Sequence, residues 1–350
     1  MNLQNAGIIG GGAWGTALAT AMRRAGRSVT LWVRETEAAD QINTVHENQV
    51  FLPGIALDPS IRATTVMADL GGADFILLVV PSQFVRATCR AARPYLNAAT
   101  PIIVCAKGIE TETGALMGEV AESELPGHPI AVLSGPTFAA EVANDLPTAI
   151  TVAVAEGEAR ADGLGAALLQ AVASLHFRPY LSSDVVGTEV GGATKNVIAI
   201  ACGIADGLGF GSNTRAALIT RGLAEISRFA VARGGNGETL LGLAGLGDLT
   251  LTCSSTQSRN FSFGRALGQG ESAEVLLSNR HSIVEGAYNA ASVVAAARKL
   301  GVSMPICDGV NALLHEGVPL SVVLEGLMER PMRGEAPSME QVVVHSGGGA

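Results

Sequence analysis

Lysine is rare in this chain, and one lysine lies where a proton carrier is expected. The 350 residues include 23 basic ones, of which only three are lysines, at positions 107, 195 and 299. An arginine keeps its proton near neutral pH, whereas a lysine in a partly desolvated place can release one. Lys195 lies beside a stripe of apolar residues that recur with helical spacing. We therefore predict that Lys195 transfers a proton in a catalysed reaction.

Two glycines, Gly191 and Gly192, precede Lys195 on the predicted helix. Each costs a helix about 1 kcal/mol relative to alanine, so we expect a neighbour that needs the space beside them. Helical side chains lean toward the N-terminus, which places the Lys195 side chain over this turn, and a flat ring would suit the space. The alternative is a loose helix start from which Lys195 extends into solvent, as most helical lysines do.

A glycine-rich motif near the N-terminus predicts a dinucleotide site. The sequence GIIGGGAWG gives a short apolar strand, then Gly10, Gly12 and Gly15 in GxGxxG spacing, with Ala13 and Trp14 at the start of a helix. Such glycines let the backbone approach a pyrophosphate, and the helix start offers N–H groups and the positive end of the helix dipole. Glycine turns are common in a chain with 43 glycines, but the strand–turn–helix context favours NAD or NADP over a plain turn.

The residue that closes the next predicted strand, SVTLWV, bears on the choice of cofactor. It is Arg34, where an NAD-selective site usually has a carboxylate for the ribose 2′-hydroxyl. Arg34 would suit a 2′-phosphate, and Glu35 comes one position later. We predict that NADP is accepted.

Lys107 directly follows one of five buried strands, which are predicted at 74–80, 101–106, 130–133, 148–154 and 176–181. Continuous apolar runs of this kind are typical of parallel sheets. Doubly wound folds bind ligands at the carboxyl ends of their strands, so Lys107 is a second candidate for the site, with an exposed loop lysine as the alternative. A later strand runs into SGPTFAAEV, where Gly135 and Pro136 form a turn and Thr137 offers a hydroxyl.

The predicted fold is α/β, with a doubly wound Rossmann-type sheet domain followed by an all-helical C-terminal domain. The strand patterns stop after Ser182, and from Asp184 onward the pattern is almost entirely helical. It begins with the helix of Lys195, whose apolar spacing continues through Arg215 to Ala232. We predict the dinucleotide-binding domain at 1–183, the helical substrate-binding domain at 184–333 and a disordered tail at 334–350.

A polar segment in the second half is suited to phosphate. Asp248 follows a glycine-rich stretch, and six hydroxyl residues between 250 and 258 precede Arg259 and Asn260. An arginine with neighbouring hydroxyls and an amide can grip a phosphate. A solvated loop is the alternative, although the flanking LTL and FSF runs are unusually apolar for one. Further on, Glu285 begins another helix of small residues, as a cap or as a ligand contact.

Composition limits the possible functions. Charged residues make up only 16% of the chain and the net charge is −9, so no basic field attracts nucleic acid or anionic lipid. Five cysteines without CxxC spacing favour a reduced, cytoplasmic protein. The histidines form no HExxH or HxH pair, so no metal is predicted. Asp206 interrupts the longest apolar stretch, so no membrane span is predicted.

Seven segments, in order, resemble the bacterial-type NAD(P)-dependent glycerol-3-phosphate dehydrogenases over residues 6–330. They are GGGAWGTALA, FLPGI, AKGIE, SGPTFAAEV, GGATKNVIAIACGI, GLGDLTLTCSSTQSRNFSFG and VEG. Phe51 departs from the family, which often has tyrosine there, and Pro331 interrupts the last predicted helix.

The resemblance implies an enzyme that interconverts sn-glycerol 3-phosphate and dihydroxyacetone phosphate for glycerophospholipid synthesis. It implies Lys195 as the proton donor and acceptor. The implied substrate contacts are Lys107, Gly135, Thr137, Lys195, Asp248, Ser258, Arg259 and Asn260. The implied cofactor contacts, beside the glycine loop, are Trp14, Arg34, Lys107, Ala139, Arg259, Ile283 and Glu285. We expect a homodimer that acts on a small molecule.

The chemistry of the reaction leaves one role open. A hydride transfer places charge on the C2 oxygen of the substrate, so an ammonium beside it is needed, and Lys107 would lower the pKa of Lys195 toward working pH. Asp248 would either orient Lys195 or bind a substrate hydroxyl. 

Two other functions remain possible from the sequence. Dehydrogenases for 3-hydroxy acids or 6-phosphogluconate share the two-domain plan and the TKN residues, but the SRN segment argues against them. A cofactor-sensing protein without catalysis would not need both Lys107 and Lys195.

Overall fold

The computed structural model describes residues 3–278, 284–333 and 343–344. Ile283 lies outside these ranges, and so does the predicted disordered tail except for Val343–Val344. Those two residues form a short strand that pairs antiparallel with Met332–Arg333.

An eight-stranded sheet occupies the first half of the chain. Its strands are β1 (Asn5–Ile9), β2 (Ser28–Trp32), β3 (Arg62–Thr64), β4 (Phe75–Leu78), β5 (Ile102–Val104), β6 (Ile130–Ser134), β7 (Thr148–Val154) and β8 (Phe177–Ser182). The order is β3-β2-β1-β4-β5-β6-β7-β8, and only the β6–β7 pair is antiparallel. The predicted Rossmann-type sheet is confirmed. The reversed direction of β7 was not predicted, because an apolar run does not encode strand direction.

Helices cover both faces of this sheet. They are α1 (Ala13–Arg24), α2 (Thr36–Thr44), α3 (Val85–Ala92), α4 (Met117–Glu124), α5 (Ala139–Ala143) and α6 (Leu164–Val172). One core forms on the face of Ile8 and Leu77, and a second forms on the opposite face, with Ile76 and Leu78. Adjacent residues of β4 thus point into different cores, which explains why all four of its residues are apolar.

The second half of the described chain is almost entirely helical. Its helices are α7 (Val185–Gly207), α8 (Ser212–Ala232), α9 (Asp248–Cys253), α10 (Arg259–Gly268), α11 (Ala273–Ser278), α12 (Glu285–Lys299), α13 (Pro305–His315) and α14 (Leu320–Met328). The apolar pattern predicts one continuous helix from Lys195 to Ala232, which is wrong. Gly209 adopts φ +77° just after α7 ends, a left-handed conformation that terminates helices and that glycine adopts readily.

Helices α7 and α10 cross with their main chains in contact. A Cβ atom on Gly203 of α7 would overlap the carbonyl oxygen of Phe261, and one on Gly264 of α10 would overlap that of Ile200. Gly207 and Gly268 make the same kind of contact one turn further along. The helix that carries Lys195 is therefore fixed directly on the helix that begins at Arg259.

Within the described ranges, every helix is too short or too polar to cross a lipid bilayer.

Candidate active site

Lys195 is buried in the middle of α7 rather than exposed at a helix start. Asp184, eleven residues before the lysine, caps this helix by accepting a hydrogen bond from the N–H of Gly187 at 2.8 Å. The side chain of Lys195 is 9% exposed. Its Nζ donates to Oδ1 of Asp248 and, at 2.9 Å, to Oγ1 of Thr252. The solvent-exposed alternative for this lysine is thus wrong.

Asp248 joins the two candidate lysines. Lys107 follows β5, and its Nζ donates to Oδ2 of Asp248 at 2.7 Å, while Lys195 takes the other carboxylate oxygen. The Asp248 side chain is 1% exposed. Because both oxygens hold a lysine, the carboxylate orients Lys195 in this state, which is one of the two roles that the sequence left open.

Lys107, Asp248 and Lys195 form a charged trio, and its charges alter the proton affinity of Lys195. Burial lowers the pKa of Lys195 to about 8; Asp248 opposes this effect and the ammonium of Lys107 adds to it. Burial alone would raise the pKa of Asp248, but the two lysines outweigh it and lower that pKa. Lys107 lowers the pKa of Lys195, as expected from the sequence, although burial is the larger cause.

The space beside Gly191 and Gly192 is filled by the protein itself. A Cβ on Gly191 would lie 2.5 Å from the carbonyl oxygen of Ala244, and one on Gly192 would lie 3.3 Å from Cγ of Lys107. A flat ring in this space was therefore the wrong occupant. Ala244 belongs to a π-helical turn, Leu243–Gly247, which leads directly into Asp248. The glycines let this turn and the Lys107 side chain approach α7 closely enough to form the trio.

Asn196, the neighbour of Lys195, links three helices. Its Oδ1 accepts from Nδ2 of Asn260 at 2.9 Å, and its Nδ2 donates to Oε2 of Glu285 at 3.4 Å. Oδ1 of Asn260 in turn accepts from the N–H of Gly286 at 2.9 Å. Residues predicted to contact substrate and cofactor are thus bonded to the helix of Lys195.

The first turn of α10 contains the predicted phosphate contacts. Ser258 is its N-cap and accepts from the N–H of Phe261 at 3.2 Å. Ser258 and Asn260 are buried, whereas Arg259 between them is exposed. A helix start of this kind favours a bound anion.

The loop after β6 lies against the same region. Thr137 donates from Oγ1 to the carbonyl oxygen of Gly135 at 3.2 Å, and Ala139 begins α5. Nε2 of Gln257 donates to Oε1 of Glu141 at 3.2 Å, which ties this loop to the segment before α10. This bond brings the segment of Gly135, Thr137 and Ala139 close to the segment before α10, and the contacts of these residues with ligands stay predictions.

The glycine loop has room for a dinucleotide. A Cβ on Gly15 would overlap the carbonyl oxygen of Gly10, whose φ is +122°, whereas a Cβ on Gly12 would meet nothing within 4 Å. Gly12 is also the N-cap of α1 and makes no side-chain cap, so the first turn, with Ala13 and Trp14, leaves N–H groups for an anion. These features fit a bound pyrophosphate.

Arg34 lies beyond β2 at the edge of this loop. Its side chain is 75% exposed and forms an ion pair with Glu35, with 2.6 Å between Nη2 and Oε1. Arg34, which would suit a 2′-phosphate, and Glu35, the carboxylate one position later, are therefore bonded to each other. 

Three residues that hold the site were not singled out from the sequence. Thr252 lies one turn after Asp248 on α9, and that spacing within the hydroxyl-rich run was an available signal. Asn48 donates from Nδ2 to the carbonyl oxygen of Gly11 and to Oγ1 of Thr16, both at 2.8 Å, and so fixes the glycine loop. Asn289 donates to the carbonyl oxygen of Lys107 at 3.1 Å. No local pattern predicts the last two contacts, because they join residues far apart in the chain.

A Rossmann-type sheet with an open glycine loop, joined to a helical domain through two lysines on one buried aspartate, is the arrangement of a two-domain NAD(P)-dependent dehydrogenase. Residues 5–160 match the sequence model of the NAD-dependent glycerol-3-phosphate dehydrogenase N-terminus, and residues 184–325 match that of its C-terminus. The chain belongs to the family of NAD-dependent glycerol-3-phosphate dehydrogenases.

Individual relatives agree with this membership. The chain is 52% identical to a glycerol-3-phosphate dehydrogenase [NAD(P)+] of Rhodospirillum rubrum, over 96% of this chain and 95% of the relative. It is also 52% identical to one of Caulobacter vibrioides, over 96% of this chain and all of the relative. The crystal structure of glycerol-3-phosphate dehydrogenase from Coxiella burnetii matches with a TM-score of 0.88 and 40% identity, over 94% of this chain and 99% of that one.

Proposed function

We propose that this chain interconverts sn-glycerol 3-phosphate and dihydroxyacetone phosphate with NAD or NADP. The observation that carries the proposal is the buried Asp248 held by Lys107 and Lys195, because it places a titratable amine beside residues suited to phosphate. Family membership supports the substrate pair, since the relatives bear the name of this reaction. The product would supply the backbone for glycerophospholipid synthesis in the cytoplasm.

Each residue has a defined part in the proposed reaction. A dinucleotide held at the loop of Gly10, Gly12 and Gly15 would supply the hydride for C2 of the ketone, or would accept it from the alcohol. Lys195 donates its proton to the C2 oxygen during reduction and regains one from solvent. Asp248 holds the amine in place, and Arg259 with Ser258 binds the phosphate, which supplies the orientation that a three-carbon chain lacks.

The proposal also includes the domain boundary and the oligomeric state that the sequence predicts. We keep residue 184 as the start of the substrate-binding domain, which agrees with the end of β8 at Ser182 and the start of α7 at Val185. We also keep the expectation of a homodimer.

The direct test is the absorbance at 340 nm of NADPH or NADH mixed with dihydroxyacetone phosphate and the purified protein. We expect a decrease that requires all three components. The oxo acids that correspond to 3-hydroxy acids serve as controls and are expected to give none. No decrease with either cofactor would contradict the proposal.

The rates of the two directions are expected to respond oppositely to pH. Reduction needs the protonated amine of Lys195, and oxidation needs the neutral amine, whose pKa is about 8. The ratio kcat/KM for reduction should therefore fall as pH rises through about 8, and the ratio for oxidation should rise. Profiles with the same slope in both directions would show that another group transfers the proton.

Replacing Arg34 by alanine is expected to weaken the binding of NADPH more than that of NADH. Arg34 is the exposed cation beyond β2 where a 2′-phosphate would be met, so its loss should raise the KM for NADPH about tenfold. Arg62→Ala is the matched control, because Arg62 is another exposed arginine in an ion pair, with Asp69 at 2.9 Å. Equal changes in both Michaelis constants for Arg34→Ala would contradict the 2′-phosphate role.

A further inference from the structure

The segment that follows β5 belongs to the sheet domain in sequence but packs into the helical core. Ile109 and Leu116 form an antiparallel bridge across this segment. Both side chains are buried in the same core cluster as Val190 and Ala193 of α7. The segment that carries Lys107 is therefore docked on the helix of Lys195 by apolar contacts.

One polar side chain reinforces this docking at Lys107 itself. Nδ2 of Asn289, on α12, donates to the carbonyl oxygen of Lys107 at 3.1 Å and to that of Ala193 at 3.4 Å. Asn289 is 2% exposed. A single amide group thus connects the main chain at one lysine to the main chain two residues before the other.

The fit around this amide is close. A Cβ on Gly108 would lie 2.9 Å from Oδ1 of Asn289 and 2.5 Å from Ser82. Asn289 also lies one turn after Glu285 on α12, and Glu285 accepts from Asn196. The two side chains of α12 therefore hold α7 on either side of Lys195, at Ala193 and at Asn196.

We propose that Asn289 is a positioning residue that fixes Lys107 against α7, so that Lys107 and Lys195 share the carboxylate of Asp248. Without the amide, two carbonyl oxygens lose a donor, and the main chain at Lys107 loses the hydrogen bond that ties it to α12. Lys107 then withdraws from Asp248, and Lys195 keeps the carboxylate to itself. The consequence for catalysis rests on the function proposed above, whereas the geometric consequence does not.

Lysine NMR tests the geometric consequence without substrate or cofactor. The chain has only three lysines, so protein labelled with 13C at lysine Cε gives three signals to titrate, with exposed Lys299 as the internal reference. In the wild type we expect Lys195 to titrate at about 8. In Asn289→Ala we expect this midpoint to rise by about one pH unit, because Lys195 loses a repelling cation and gains the undivided carboxylate.

Kinetics test the catalytic consequence. Asn289→Ala is expected to lower kcat about tenfold, as the displacement of a catalytic group does. In a Lys107→Met background the same substitution should cost less than about twofold, since the lysine that it positions is already gone.

Two further variants keep the outcome decisive. Asn311→Ala removes another buried asparagine, on α13, which donates to Oε1 of Glu316 at 2.7 Å, and it should leave both the Lys195 midpoint and kcat unchanged. Asn289→Leu keeps the branched arrangement of side-chain heavy atoms and loses the amide, so it replaces Asn289→Ala should the smaller residue prevent folding.

An unchanged Lys195 midpoint in the folded Asn289 variant would overturn the proposal, and so would full additivity with Lys107→Met. If the midpoint moves but the wild type shows no activity, the positioning role stands and the proposed function fails.

Discussion

Lys195→Arg is expected to lower kcat at least about 100-fold, within the range that general acid–base catalysis contributes, while cofactor binding is kept. Arginine preserves the positive charge that Asp248 pairs with, but its proton cannot leave near neutral pH. The wild-type amine can exchange its proton because burial lowers its pKa to about 8. The measurement is kcat for dihydroxyacetone phosphate reduction, together with NADPH binding followed by nucleotide fluorescence.

Lys299→Arg is the matched control for this substitution. Lys299 is the exposed lysine at the end of α12, so the same change of residue type should leave kcat unaltered there. Lys195→Met, which removes both charge and proton, should be as inactive as Lys195→Arg. Substantial turnover in the folded arginine variant would rule out Lys195 as the proton carrier.

Asp248→Asn is expected to destabilise the protein by about 3–5 kcal/mol at pH 7, as the loss of one partner from a buried ion pair does. The substitution leaves the buried ammonium of Lys195 and the partly buried ammonium of Lys107 without their shared carboxylate. The pKa of Lys195 should fall further, because the attraction of Asp248 is lost. Urea unfolding gives the free energy, and the reduction rate at pH 7 should fall with the protonated fraction of Lys195.

The pH dependence of this loss has a definite sign. Folding lowers the pKa of Lys195 from 10.5 to about 8, so the unfolded chain binds more protons between these values and stability rises with pH there. In Asp248→Asn the pKa of Lys195 lies below 8, so between that pKa and about 8 the variant gains stability with rising pH and the wild type does not. The deficit of Asp248→Asn should therefore shrink as pH rises to about 8 and change little above it. Asp206→Asn is the control, since this partly exposed aspartate pairs with Arg265 at 3.3 Å, and its loss should cost less than about 1 kcal/mol. Wild-type stability in Asp248→Asn would show that the carboxylate does not hold the lysines.

The chemical groups of the site could be predicted from the sequence, but their connections could not. Lys107 and Asp248 stood out because each follows a strand or a glycine-rich stretch at a place where folds bind ligands. Asp248 can bind both lysines because the π-helical turn that precedes it packs closely against Gly191. Such contacts join residues 141 and 53 positions apart in the chain, so no local spacing encodes them.

The fold shows the same division between local and distant information. The buried strands follow from their apolar runs, and β7 was predicted at Thr148–Val154, as found. The break between α7 and α8 was missed because apolar spacing continues across it, although Gly209 was a signal. The helix crossing at Gly203 and Gly264 was also missed, since glycines in a helix raise no expectation about which other helix they meet.

The crossing of α7 and α10 at these glycines fixes the distance between two parts of the site. Because the main chains of α7 and α10 are in direct contact, no side chain between them can change conformation and let the helices move apart. The distance from the amine of Lys195 to the start of α10 at Arg259 is therefore fixed. In the proposed reaction, we expect that a substrate one carbon longer cannot place its oxygen at the amine of Lys195 while its phosphate is bound at Ser258 and Arg259. Selection by chain length would then reside in the backbone, and exchanges of pocket side chains alone would not relax it.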